Sequence, residues 1–345
     1  MSAAQTSLSR AQPAAGPHPI LLRIAELRAW LFLVLLLVFF ECWARIAYGS
    51  TFVFSVPTLQ SISIYAVAPL LLALGSTFVI ISGGIDLSIG FIMGLSAVVA
   101  AHTANLMGAS MPPFPAMLVG IVVGVAVATI PGYINGLLIS KLRVPPFIGT
   151  LGMYGVARGI AYLLAGGTTV PVSNAWFAAL GNGRFYGVPV VVIVAALFLI
   201  AMHYLLSQTR FGQHTYAIGA SEQAALRAGI NVSRHTRKLY VLSAVCAGIG
   251  GVLYAARFTA GAAQAGEPLL LDSIAAVVIG GASLFGGSGS ISGTLAGALV
   301  IAVIQFGLVY INVEPFWQFV SVGVVIIVSV LVDQAQRSIA GGRRS

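Results

Sequence analysis

The sequence predicts an all-α polytopic membrane protein with about ten transmembrane helices. Three observations predict it. First, 59% of the 345 residues are apolar, only 7% are charged, and the mean hydropathy is +1.00. A soluble fold needs more charge to cover its surface, whereas a helical bundle in lipid does not. Second, the apolar residues fall into runs near the length that spans a hydrocarbon core about 30 Å thick. Third, Lys and Arg collect in alternate connecting segments, which sets an orientation.

The elements follow in order. Residues 1–29 read as a cytoplasmic tail rich in Ala, Ser and Pro, expected to be disordered, with Arg10, Arg23 and Arg28. The first apolar run starts near Trp30. That is late for a cleaved signal peptide, and no small-x-small site follows, so the run is expected to stay as a first span. The expected spans are 30–48, 58–82, 89–108, 114–140, 146–166, 188–207, 239–258, 273–286, 291–312 and 316–332. Together they make a membrane domain over 30–335, and 336–345 form a short cytoplasmic tail. The fifth span opens with Pro145-Pro146 and contains Arg158. The eighth is short and Gly-rich, as a broken or re-entrant segment is. The segment 167–187 is too small to be a soluble domain.

Ten crossings put both termini on one side. With the N-terminus inside, 13 of the 17 Lys and Arg fall on cytoplasmic segments: Arg10, Arg23, Arg28, Lys141, Arg143, Arg210, Arg227, Arg234, Arg237, Lys238, Arg337, Arg343 and Arg344. This positive-inside bias accounts for the formal charge of +9 without nucleic acid as a partner. The 40 glycines allow helices to approach closely in lipid. Cys42 and Cys246 both lie in apolar runs and are expected to pack, not to form a disulfide or metal site.

The most polar stretch is the loop 208–238. It concentrates Arg210, Arg227, Arg234, Arg237 and Lys238 between two apolar spans. Within it, Ser221 to Ala228 reads as a short helix with Ser221 as N-cap and Gly229 just past the end. A compact helix on a cytoplasmic loop suits docking to a soluble protein. The candidate contact residues are Ser221, Glu222, Gln223, Ala224, Ala225, Arg227 and Gly229.

The second candidate segment is Gly83-Gly84-Ile85-Asp86-Leu87-Ser88-Ile89-Gly90. Its glycines permit a sharp reversal. Asp86 or Ser88 is placed to cap span three, where a carboxylate also meets the positive end of the helix dipole. Gly83, Gly84, Asp86 and Ser88 thus read either as a turn with a cap or as a gate or partner contact. A short echo joins Asp86-Leu87-Ser88-Ile89 to Asp272-Ser273-Ile274, as two helix starts of an inverted repeat would.

Polar groups within spans are costly in lipid. Glu41 and Arg45 at i, i+4 are expected to pair. Arg158, near Tyr154 and Tyr162, either faces a water-filled path or snorkels to the interface. Asn135, Asn105, Gln305 and Asn312 either bond between helices or meet a polar solute. Asn135, Tyr154, Arg158 and Gln305 are the candidate path residues. Glu314, Phe316, Trp317 and Gln318 either line a mouth or belong to an interfacial aromatic belt. No nucleotide-binding P-loop, metal-ligand spacing or catalytic triad is present in the sequence. No cofactor is expected, and any ATP chemistry falls to a partner.

Several motifs then resemble one family. They are GGIDLSIG at 83–90, VPPFIGTLGM at 144–153, GASEQAALRAGINVSRHTRK at 219–238 and LLLDSIAAVVIGGASLFGGSGSISGTLAGA at 269–298. Over about 58–335 the chain resembles the permease subunits of bacterial ABC importers for monosaccharides such as ribose, xylose, arabinose and galactose. The importer class has a cytoplasmic signature of Glu-Ala-Ala, three further residues, then Gly. Here it stands as Gln223-Ala224-Ala225 and Gly229, with Gln for Glu, and the downstream Ile-x-Leu-Pro part is absent. The resemblance implies a cobalamin-importer-type (type II) permease fold in the bacterial inner membrane, with residues 220–230 as the coupling helix. It also implies an ABC ATPase subunit, a periplasmic sugar-binding protein and a second permease copy, identical or a sister chain.

Rival readings remain open from the residues alone. An ion-coupled secondary transporter usually shows buried acids in mid-span, whereas the eight acids here sit mostly at predicted span ends. An intramembrane enzyme needs paired catalytic groups at one depth, and none are seen. A permease of the same class with another cargo, such as a nucleoside, a branched-chain amino acid or a signalling sugar derivative, is the strongest rival to the monosaccharide reading.

Overall fold

The computed structural model describes the backbone of residues 19–341 and the side chains of 27–331. The tail residues 1–18 and 342–345, which include Arg10, Arg343 and Arg344, lie outside the described residues, as do the side chains of Arg23 and Arg337. The described chain forms thirteen helices. They are α1 (Pro19–Tyr48), α2 (Val56–Ile81), α3 (Ile89–Gly108), α4 (Pro113–Ser140), α5 (Pro146–Ala165), α6 (Ala175–Asn182) and α7 (Val190–Ser207). After these come α8 (Arg210–Ala220), α9 (Glu222–Arg227), α10 (Val232–Phe258), α11 (Glu267–Ile279), α12 (Ile291–Tyr310) and α13 (Phe316–Gly341).

Eight of them, α1 to α5, α7, α10 and α12, are long and apolar enough to cross a membrane. In α13 the described apolar part is Phe316–Leu331. The run expected at 273–286 is corrected: α11 begins earlier, at Glu267, and stops at Ile279. The stop has a local cause. Gly281 takes φ +91°, and the amides of Gly281 and Ala282 return to the carbonyls of Val278 and Val277, closing the helix end. At the other end of the chain, α1 starts at Pro19, so residues 19–29, expected in the tail, are helical.

The helices sort by burial. α2 buries 83% of its apolar window, and α3 and α10 bury 72% each, so they form the centre, whereas α1 and α7 bury 22%. Helices apolar all round are what a bundle interior requires. α4 touches this centre through one small-residue stripe. Gly120 and Gly124 lie against Ala100, Ala104 and Ser96 of α3, and Gly132 and Gly136 lie against Tyr240, Ala244 and Arg237 of α10. Side chains at these positions would hold the backbones apart. Cys246 is buried in this centre, but Cys42 is exposed on α1, so the expectation that both cysteines pack holds for one.

The two ends of the bundle are closed differently. At one end β1 (Val170–Pro171) pairs antiparallel with β4 (Ala260–Gly261), β2 (Arg184–Phe185) pairs with β3 (Val188–Pro189), and α6 packs beside them. At the other end lie α8, α9, the C-terminal ends of α2 and α11, and the loop 280–290. There the Gly287 amide bonds the Ile81 carbonyl at 2.8 Å.

Two helices start inside the bundle. The loop 82–88 turns back inward after α2, and Asp86 reaches Ser243, which lies about 17 Å along α10 from its start. From the strand end, residues 261–266 run down beside α3. Gly261 lies against Ala97, Gly94 against Ala263, and Gly90 against Gly266. The starts of α3 and α11 therefore meet in the interior. The sequence echo does not align them, because Asp272 sits within α11, not at its start.

Candidate functional site

α9 is a six-residue helix fixed at both ends. The Ser221 hydroxyl accepts from the Ala224 amide at 3.3 Å. At its far end the Gly229 and Ile230 amides return to Leu226 and Ala225, and Gly229 takes φ +82°. This is the Schellman closure, in which glycine enters the left-handed region without penalty. Ala225 anchors the helix in a small cluster with Ile218, Val232, Ala217 and Ile230. Ser221, Glu222, Gln223, Ala224, Leu226, Arg227, Ala228 and Gly229 are exposed. The fold thus holds α9 by one buried methyl and its two caps, and leaves the rest of its surface for contact.

α8 joins α9 to the bundle. Thr209 caps it by accepting from the Phe211 amide at 3.2 Å. Thr215 and His235 share a buried hydrogen bond of 2.9 Å. Tyr216 donates to the Gly289 carbonyl at 2.7 Å, and burial pushes its phenol pKa up, so it stays a donor. Gly219 lies on the end of α2. A Cβ there would stand 1.8 Å from the Ile81 carbonyl oxygen and 2.6 Å from the Gly287 nitrogen.

The segment 83–88 forms a buried polar network. Asp86 accepts from the Ser88 amide at 3.1 Å, the Ser88 hydroxyl at 2.6 Å and the Ser243 hydroxyl at 3.0 Å. Asn135 of α4 donates to the Ser88 hydroxyl at 2.8 Å. Tyr240 and Thr150 both donate to the Ile85 carbonyl, at 3.3 and 3.4 Å. Gly83 takes φ +83°, and a Cβ on Gly84 would meet the Tyr240 hydroxyl at 2.8 Å. Ser88 occupies the N-cap position of α3 but makes no side-chain cap bond. The expected capping by Asp86 or Ser88 is therefore corrected. The carboxylate is used to join α10 to the loop, because a buried acceptor must find donors and Ser243 supplies one.

The remaining candidates fall into two further groups. Tyr154 donates to Glu267 at 3.2 Å, linking α5 to the start of α11, and its ring meets Phe91 edge-on at 4.6 Å. The Arg158 guanidinium lies over Phe91 and Tyr162, at 5.4 and 5.9 Å from the ring centroids. Aromatic faces attract such a cation. Gln305 donates to Asp272 at 2.8 Å between α12 and α11, apart from the others. Asn135 thus joins the loop network, Tyr154 and Arg158 form one cluster, and Gln305 forms a separate pair. Asn105 bonds the Pro171 carbonyl and the Ser173 amide near the strand end. The expected Glu41–Arg45 pair forms at 2.6 Å, and Glu41 also accepts from Thr51 and from the Phe52 and Val53 amides. Among the described residues, no group of three His, Cys, Asp or Glu is arranged to hold a metal.

The sequence that builds this frame matches a transport family. Residues 58–329 match the family described as "Branched-chain amino acid transport system / permease component". The chain belongs to this permease family. The ribose import permease protein of Bacillus subtilis is 40% identical over 76% of this chain and 80% of its own length. The fructose import permease protein of Rhizobium meliloti is 37% identical over 76% of this chain and 74% of its own. The D-allose transport system permease protein of Escherichia coli is 36% identical over 76% of this chain and 79% of its own. The permease is a multi-pass protein of the bacterial inner membrane.

Sequence reading of this permease missed Ser243, Tyr240, Thr150 and Glu267. Each is one polar residue on an otherwise apolar or loop segment, and its partner lies far away in the chain. Only the cost of placing such a group in lipid marks it beforehand.

Proposed function

We propose that this chain is the membrane-spanning subunit of an ATP-driven ABC importer that moves a monosaccharide inward. The observation that supports the cargo most directly is that the relatives named above are ribose, fructose and allose permeases, each matching over three quarters of this chain. The family description names branched-chain amino acids, so an amino acid is the rival cargo. Nucleosides and signalling sugar derivatives are further ones.

The finer reading is a type II permease with ten crossings, the eight long helices plus α11 and α13, and with both termini inside. The distribution of Lys and Arg supports that orientation. In it, α9 faces the cytoplasm and docks on an ABC ATPase subunit. Ser221, Glu222, Gln223, Ala224, Ala225, Arg227 and Gly229 form or shape the contact. A periplasmic binding protein delivers the sugar to the strand end, and a second permease copy, identical or not, completes the pathway. Closure of the ATPase pair pushes α9. The motion passes through α8 to the ends of α2 and α11, and the bundle alternates its access. Gly83, Gly84, Asp86, Ser88 and Asn135 hold the inner loop during this change. Tyr154, Arg158 and Gln305 offer hydrogen bonds beside the path.

Uptake of labelled pentoses, hexoses and leucine into proteoliposomes tests this. The permease would be reconstituted with and without its ATPase and binding protein. Sugar uptake that needs all three parts and ATP is the expected result. Uptake by the permease alone on an ion gradient, or uptake of leucine only, overturns the reading.

A further inference from the structure

A cavity of about 470 Å³ opens beside α10, and its lining has two chemistries. One stripe of α10 forms the floor: Arg234, Arg237, Lys238, Val241, Leu242 and Val245. The spacing of three and four residues puts all six on one face. The cations occupy the first turns and the apolar residues the next two. From Arg234 to Val245 the floor runs about 16 Å along the helix. Tyr133 of α4 forms one wall, and Leu205 of α7 with Phe211 of α8 forms the other. Arg234 and Lys238 are exposed, whereas Val241, Leu242 and Val245 are half-buried. Among the described residues the one ion pair is Glu41–Arg45, so no acid neutralises this trio. Arg237 spends its Nε on the Ser233 carbonyl at 3.3 Å, which leaves its terminal nitrogens for other partners.

We propose that this cavity binds one anionic phospholipid, with its phosphate at Arg234, Arg237 and Lys238 and the start of an acyl chain along Val241, Leu242 and Val245. Two features of the cavity select that ligand. A free phosphate has no use for the apolar half of the floor, and a zwitterionic lipid gains less from three unpaired cations. Basic pockets between membrane helices suit such headgroups. The site also has a mechanical consequence. Phe211 lies in the first turn of α8 and the first turns of α10 follow α9, so a bound lipid touches both ends of the α8–α9 segment and braces it against the bundle.

The test uses the full-length permease in mild non-ionic detergent, with binding read by native mass spectrometry and stability by thermal unfolding. Phosphatidylglycerol, phosphatidylcholine and inorganic phosphate are compared. Phosphatidylglycerol is expected to bind and raise the melting temperature, and the other two are not. The double variant R234Q/K238Q is expected to bind phosphatidylglycerol about thirtyfold more weakly, from about 1 kcal/mol per cation near an anionic lipid. Leu242→Trp keeps the cations and fills the apolar half, so it too is expected to lose affinity. If R234Q/K238Q does not fold, Leu242→Trp decides. Equal stabilisation by phosphatidylcholine or by inorganic phosphate, or unchanged phosphatidylglycerol affinity in the variants, overturns the proposal. So does a double variant that loses only its assembly with the ATPase, because the cations then belong to a protein contact.

Discussion

Gly219→Ala tests the joint between α8 and the bundle. The added Cβ would stand 1.8 Å from the Ile81 carbonyl oxygen, 2.6 Å from the Gly287 nitrogen and 2.9 Å from the Ile81 carbonyl carbon. All of these atoms are backbone, so no rotamer change relieves the clash. Ordinary contact distance is restored only if α8 backs away from α2 by about 1.6 Å. Overpacking of this kind costs about 1–3 kcal/mol. The shift also threatens the 2.8 Å bond from Gly287 to Ile81, worth about 1 kcal/mol more. A total of about 2–4 kcal/mol is expected, read as a lowered unfolding midpoint in detergent. Gly155→Ala is the control, since a Cβ there meets nothing within 4 Å, and alanine is the better helix former. In proteoliposomes Gly219→Ala should hydrolyse ATP with its partner while importing little. If Gly219→Ala is as stable as Gly155→Ala and imports normally, α8 does not rest on α2 as described.

Three further predictions follow from the same contacts. Gly229 has open space around it but φ +82°, so Asn should be tolerated there and Ala should cost about 1 kcal/mol. Gly229→Pro should uncouple import, because proline cannot take that φ and loses the amide that bonds Leu226; Arg227→Glu should uncouple by charge alone, and uptake equal to wild type in both would remove α9 from the ATPase contact. Ser243→Ala deprives Asp86 of its 3.0 Å donor and should cost about 1.5–3 kcal/mol. In a double-mutant cycle with Asp86→Asn the effects should be non-additive, and additive effects would mean that the two side chains do not interact. Tyr154→Phe and Glu267→Ala each remove the 3.2 Å bond between α5 and the start of α11, the first by losing the donor and the second by losing the acceptor. Each should slow sugar uptake about equally, and the pair together should do no worse than either alone; independent losses in uptake would show that the bond is not what matters.

The legibility of this fold depended on how local each feature is. α9 was readable to the residue because Ser221 and Gly229 are cap signals that act within one helical turn. The long spans were readable because hydropathy is a property of consecutive residues. α11 was not, because its start is set by Gly266 lying against Gly90 of α3, 176 positions away. No window of sequence reports that contact. Asp86 shows the same limit. Its neighbours suggested a cap, since Asp before a helix usually is one. Ser243 of α10 takes up the Asp86 carboxyl, and Asn135 of α4 takes up the Ser88 hydroxyl beside it. The sequence places Arg158 near Tyr162, whose ring does receive it, but nothing local points to Phe91 on α3 as the second ring. Apolar sequence says that a helix is buried and does not say which face meets which neighbour.

If α9 docks on an ATPase subunit as proposed, the contacts of α8 give a push on α9 a route into the bundle. α8 reaches the α2 end through Gly219 and the loop before α12 through Tyr216. Both contacts end on backbone. Flexible side chains absorb displacement by changing rotamer, whereas backbone packed against backbone passes it on. The Gly287 amide ties the two contact points together through Ile81, so a push on α8 arrives at α2 and the α11–α12 connection at once. α2 leads through the loop 82–88 to the start of α3, and the α11–α12 connection joins the far end of α11, whose start meets α3 where Gly90 lies against Gly266. Tyr216→Phe separates this route from simple stability. It removes the 2.7 Å bond to Gly289 but keeps the ring, so the loss in stability should be only about 1 kcal/mol. If force runs through both contacts, sugar moved per ATP should fall clearly in Tyr216→Phe while ATP hydrolysis continues. If that ratio is unchanged, Gly219 alone transmits the motion and Tyr216 only holds the loop.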